Sequence, residues 1–166
     1  MIFQIFSTLP KDAQLCEVIS KTHFLAELIE RIRSQINDLK EELQSIDAEI
    51  ANETKSSAGD KFETSREMMS QSRQSIASRI DVFKEQLYFL SQLEAKSSSK
   101  GVSSGTLVET NAGYFFFGLA LGNLSFQNKQ VMALSFQSPL GRAFLNKKIG
   151  DKVEFRGRRF TILNCH

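Results

Sequence analysis

The chain has 166 residues, of which 41% are hydrophobic, 24% charged and 10% aromatic, with a formal net charge of +2. That is enough for one or two domains with a packed core, and it excludes a chain that is disordered throughout. Cys16 and Cys165 lie near opposite ends without paired spacing, which excludes a disulfide framework and a zinc site and points to a reducing compartment.

In chain order, the opening MIFQIFSTLP has an apolar run too short for a signal segment and no basic flank. No later stretch is long and apolar enough to span a bilayer, so a cytoplasmic protein without membrane contact is expected. From Leu25 the apolar residues Ile29, Ile32, Ile36, Leu39, Leu43, Ile46 and Ile50 recur at spacings of four and three, the a/d seam of a heptad. Proline is absent from Lys11 to Gln137, and a helix from about Asp12 to about Thr54 is predicted. A second seam, Met69, Ile76, Ile80, Phe83, Leu87 and Leu90, has Arg73 where another apolar residue is expected. The connection TKSSAG is too short for a parallel pair, so the two helices are predicted to form an antiparallel hairpin over residues 1–95, with its tip near 54–63. An oligomeric coiled coil without a special tip is the competing reading of any heptad run; a monomer is expected here.

Residues 96–105, KSSSKGVSSG, read as a Ser/Gly linker. Residues 106–166 carry the short β-type runs TLVET, YFFFGLAL, VMALSF, KVEF and RFTIL, which predict a small, mostly antiparallel sheet. In SPLGRAFL, Ser138 followed by Pro139 is an N-cap and N1 pair, and one short helix from Pro139 to about Leu145 is predicted to cover a face of that sheet. The aromatic run Tyr114 to Phe117 reads as core. The fold class is therefore α+β.

Charge divides along the same line. Residues 1–95 hold 16 acidic and 11 basic side chains, a net of −5, and residues 96–166 hold 3 and 10, a net of +7. Two modules with different surfaces are implied, and a solvated basic face is the plain reading of the second.

Asp60 and Glu63 stand three residues apart at the start of the second helical pattern. The spacing matches an Asp variant of the capping box, and it also presents two hard oxygen ligands of the kind that hold a divalent cation. Both readings stand on the residues alone, and one side chain can serve both in different states. Lys61 and Arg66 lie beside the pair as solvated charges or as its ion-pair partners.

The segment SPLGRAFLNKKIGDKVEF, residues 138–155, together with SSGTLV, YFFFG and GRRFTIL, resembles the C-terminal domain of the bacterial Gre transcript-cleavage and elongation factors (the GreA/GreB family). GDKFETSRE supplies Gly59, Asp60 and Glu63 where that family's coiled-coil tip carries Gly-Asp-x-x-Glu-Asn-Ala-Glu-Tyr. The resemblance covers about residues 25 to 166. It implies an FKBP-like C-terminal domain that docks on RNA polymerase through the loop holding Ser138 and Pro139, and a coiled coil that enters the polymerase secondary channel. Asp60 and Glu63 would there help hold a catalytic Mg²⁺, with Lys61 and Arg66 as contacts to the RNA phosphate, so that the polymerase cleaves the extruded 3′ end of backtracked RNA, and the protein is not itself an enzyme. ETSRE departs from the family run in lacking its Asn and Tyr, which leaves open a non-cleaving channel regulator of the same architecture. The implied FKBP-like fold also raises peptidyl-prolyl isomerase activity, on fold analogy alone.

Overall fold

The computed structural model describes residues 19–53, 60–94 and 101–166. Two long helices, α1 (Lys21–Glu53) and α2 (Asp60–Glu94), precede a sheet of six strands. The strands are β1 (Leu107–Thr110), β2 (Gly113–Phe117), β3 (Gly122–Phe126), β4 (Lys129–Leu134), β5 (Lys152–Phe155) and β6 (Arg158–Cys165), with the short helix α3 (Pro139–Phe144) between β4 and β5. Their order across the sheet is β3-β4-β2-β1-β6-β5, and every pair is antiparallel except β2 with β4.

The helices run antiparallel. Asp47 of α1 faces Arg73 of α2, and nearer the sheet Leu39 shares a groove with Phe83. The heptad positions make the seam, with Ile36, Leu39, Ile76 and Ile80 buried. Farther out, Leu43, Ile46, Ile50 and Met69 are only half-buried, because two helices alone cannot enclose a side chain on every side. Arg73 interrupts the apolar seam and pairs instead with Asp47, Nε to Oδ1 at 2.6 Å. Both side chains are about half exposed, so the pair contributes no more than about 1 kcal/mol and acts mainly to set register.

α1 begins at Lys21, and residues 12–18 of the predicted helix lie outside the described residues. Ile19 and Ser20 are non-helical, and the Ser20 carbonyl accepts the first helical bond from the Phe24 amide at 2.9 Å. Ile19 is fully buried in the same core as the helices, and seating it there turns the chain out of the helical path.

In the first turns of α1 the buried stripe widens from the seam to Phe24, Leu25, Leu28, Ile29 and Ile32. A wider stripe means a second neighbour, and that neighbour is the sheet. The Phe24 ring lies 5.3 Å from Phe116 on β2 and 5.5 Å, edge-on, from Phe126 on β3. At the same base of the hairpin, the C-terminal end of α2 closes on the loops flanking β1 and β2. A Cβ on Gly105 (φ +84°) would overlap the Leu93 side chain, and one on Gly118 would come within 2.8 Å of the Phe89 ring. Glycine at these two positions lets the helix approach the backbone directly.

Alternation along the strands gives the sheet two apolar faces. Leu107, Phe116, Val131 and Ala133 point to the helices, while Val108, Phe115, Phe117 and Ile162 point to α3, whose Phe144 ring sits 5.4 Å from Phe115 and 5.3 Å from Phe117. The aromatic run read as core is buried throughout, but it is divided between two cores. Of the segment read as a linker, residues 101–105 join the sheet. Val102 is buried and exchanges backbone hydrogen bonds with the turn after α3, and the Gly105 amide donates to the Phe117 carbonyl at 2.6 Å. Residues 95–100 lie outside the described set.

The run YFFFGLAL is not one strand, for β2 ends at Phe117 and the chain turns at Gly118. GNLSF, unassigned by the sequence reading, forms β3 and returns to β4 through Gln127 and Asn128, both at positive φ (47° and 60°). Inserted beyond β4, β3 makes possible the parallel β2–β4 pair, which no tight turn can connect.

Replacing Phe24 with Ala is expected to cost about 3–5 kcal/mol, measured by urea denaturation, because the void opens between the hairpin and the sheet. Ile50→Ala, at a half-buried distal seam position, should cost less than half as much. Equal losses would show that the base is not the principal anchor.

Candidate functional site

Asp60 is the first residue of α2, and Glu63 lies within the same first turn. Residues three apart share a helix face, and this is the turn in which helix amide groups favour negative charge. The Asp60, Lys61 and Glu63 side chains lie outside the described residues, so the choice between capping and ligation is not made by contacts. The position along the hairpin is clear. At 1.5 Å per residue, α1 continues ~40 Å past Phe24, and α2 starts at the corresponding distal end.

Arg66 is exposed one turn further along α2. It lines a groove of about 500 Å³ with Asp47, Ile50, Glu67, Ser70 and Arg73, where two cations face two carboxylates. The groove is therefore close to neutral, and Arg66 is the cation in it nearest the end of the hairpin.

Ser138 and Pro139 stand far off in sequence and open α3 on the opposite face of the sheet. Ser138 is the N-cap, with its Oγ accepting from the Gly141 amide at 3.0 Å and donating to the Ser135 carbonyl at 2.7 Å; Pro139 follows at the first helical position. Gly141 is buried, and a Cβ there would overlap the Ser135 carbonyl, so SPLG forms one closed turn. Pro139 is exposed on that turn and presents a rigid surface. The chain does not bring the acidic pair and this turn together. They lie apart, one at the start of α2 and one at the start of α3 on the sheet unit.

A third feature escaped the sequence reading, which treated the basic residues of the second half as a solvated face. Phe115, Met132, Leu140, Phe155 and Phe160 floor a cleft of about 690 Å³ on the α3 side of the sheet. Arg156, Arg158 and Arg159 line it too, Arg158 lying two residues before Phe160 and so on the same face of β6. The signal was present as FRGRRF, a Gly-centred turn between two strands with arginines on both sides. The depth of the apolar floor required the packing of five separated residues.

Among the described residues, no group of three or more His, Cys, Asp or Glu side chains is placed to hold a metal ion. Cys165 is half-buried, and burial pushes its thiol pKa up, away from the reactive thiolate. No helix of the described residues is long and apolar enough to cross a membrane. No protein-family model matches the chain, and no curated protein or solved structure matches it either.

Ser138→Ala should lower stability by about 1 kcal/mol in a denaturant titration through loss of the cap. Gly141→Ala should cost more, since the turn has no space for a methyl group, and an equal or smaller cost would show that the SPLG turn is looser than described.

Proposed function

We propose that the protein acts on RNA polymerase as a Gre-type elongation factor. In this reading the hairpin enters the secondary channel, and the sheet unit, FKBP-like in fold, docks at the rim through the turn holding Ser138 and Pro139. The observation that carries it is the separation of the two sites: Asp60 and Glu63 belong to the first turn of a helix whose opposite end is packed against the sheet. A capping pair needs only a helix start, whereas a carboxylate pair delivered into another protein needs a stiff support anchored at a distance. The motif resemblance supplies the identity of that other protein.

Two carboxylates on one helical turn fit the donor chemistry of Mg²⁺, which is commonly held by one or two carboxylates while water and phosphate fill the other positions. Asp60 and Glu63 would hold the ion jointly with the polymerase and the RNA. The chemistry an ion held there would supply is activation of water and stabilisation of the leaving oxygen in a phosphoryl displacement. The chain's own contribution is positional. A single turn of α2 would keep the two carboxylates in register, the Asp47–Arg73 pair would resist sliding of one helix on the other, and Arg66 would meet the phosphates of the extruded RNA. The protein alone is then not a nuclease, and it works as a monomer in the compartment where transcription occurs.

A second reading, occupation of the channel without cleavage, is favoured by ETSRE, where the family's Asn and Tyr beside the acids are replaced. An RNA-cleavage assay on stalled polymerase complexes separates the two. Wild-type protein is expected to shorten the RNA from its 3′ end in the presence of Mg²⁺, and the Asp60→Asn, Glu63→Gln double variant to lose that stimulation by about tenfold or more while still competing for the channel. Equal cleavage by both proteins would end the metal-delivery reading, and binding with no cleavage by either would leave the regulator.

A further inference from the structure

We infer that the cleft between α3 and the β5–β6 hairpin is a docking site for an acidic peptide segment carrying a bulky apolar side chain. This goes beyond the proposed role of the hairpin, and its test does not depend on that role.

The cleft exists because α3 is short. Six residues make a helix of ~9 Å, whereas six strands spaced 4.8 Å apart span ~24 Å, so part of the apolar face on the α3 side is left without a covering element. Phe115 and Phe160 at its floor are nonetheless buried, and Met132, Leu140 and Phe155 are half-buried, which makes a recess and not a flat patch. Its volume of about 690 Å³ lies within the range of small-ligand and side-chain pockets.

Charge identifies the occupant. The β5–β6 turn projects Arg156 and carries Arg158 and Arg159 beside it, all exposed. Arg159 approaches Glu154 at 3.8 Å, a separation that leaves most of its donors free, and the Arg156 guanidinium lies 5.4 Å from the centre of the Phe155 ring, which holds it over the edge of the recess. Residues 96–166 carry 10 basic and 3 acidic side chains, so the surroundings reinforce this field. Guanidinium forks favour carboxylate or phosphate partners. The floor decides between a peptide and a nucleic acid, because its five side chains offer no hydrogen-bonding group. A nucleobase inserted there would lose its polar edge to an apolar wall, while a Leu or Phe side chain would lose only water.

The test uses the full chain and a fluorescein-labelled peptide of Glu and Ser residues around a central Phe-Leu pair, read by anisotropy. Binding in the range of about 10–100 μM is expected, weakened about tenfold when Phe-Leu is replaced by Ser-Ser and again about tenfold for the Arg156→Ser, Arg158→Ser variant. Both arginines are exposed, Arg156 on the turn and Arg158 at the first position of β6, so the variant should keep the wild-type circular dichroism spectrum, and Arg142→Ser, at an exposed position on α3, should bind like wild type. No binding, binding indifferent to the Phe-Leu pair or to the two arginines, or tighter binding of an oligothymidylate than of the peptide would each overturn the proposal.

Discussion

The insertion of Phe24 between Phe116 and Phe126 is the contact on which the architecture rests. A two-helix hairpin cannot bury its own seam well, and a small sheet with two apolar faces cannot leave either one in water. Packing the first turns of α1 on β2 and β3 answers both requirements at once, and it makes the hairpin and the sheet share one core. Ile19, Leu28 and Leu93 enlarge that core, while glycine at 105 and 118 lets the end of α2 settle against the backbone. With the base held in this way, the orientation of the hairpin relative to the sheet is set by side-chain packing and does not depend on a tether.

The distal hairpin is built to a different standard. Beyond Leu39 on α1, and before Ile76 on α2, no described residue is buried, and a polar pair stands where an apolar one would have been more stabilising. Stability therefore falls from base to end. Such a gradient would suit the proposed insertion of the hairpin into a partner, because local rigidity comes from helix pairing and anchoring from the sheet. A larger apolar seam at the end would add stability and also an exposed hydrophobic patch.

The sheet shows how one alternating strand serves two cores. Tyr114 and Phe116 turn to the helices, Phe115 and Phe117 to α3, and the same division runs through β1 and β4. The helix side is covered across β3 to β1, whereas the α3 side is covered only in part. The resulting recess follows from the length of α3, which the closed SPLG turn starts abruptly and Leu145, outside helical φ/ψ, ends after six residues.

The two helices, their seams and their antiparallel pairing were legible in the sequence because a period of 3.5 residues repeated over many turns has no other good explanation. The Ser138–Pro139 helix start and five of the six strands were legible because capping and β-propensity act locally. What only the tertiary structure decided was non-local. β3 was missed because its two buried residues, Leu124 and Phe126, mean little until a helix and β4 enclose them. The start of α1 at Lys21 follows from the burial of Ile19 in a core assembled from distant parts of the chain, and residues 101–105, polar enough to read as a linker, are held by backbone bonds to Phe117 and Lys147. The acidic pair was visible as a spacing, whereas the arginine-rimmed cleft was not, since a concave surface belongs to no single segment and arises only when five strands' and helices' worth of side chains converge on one face.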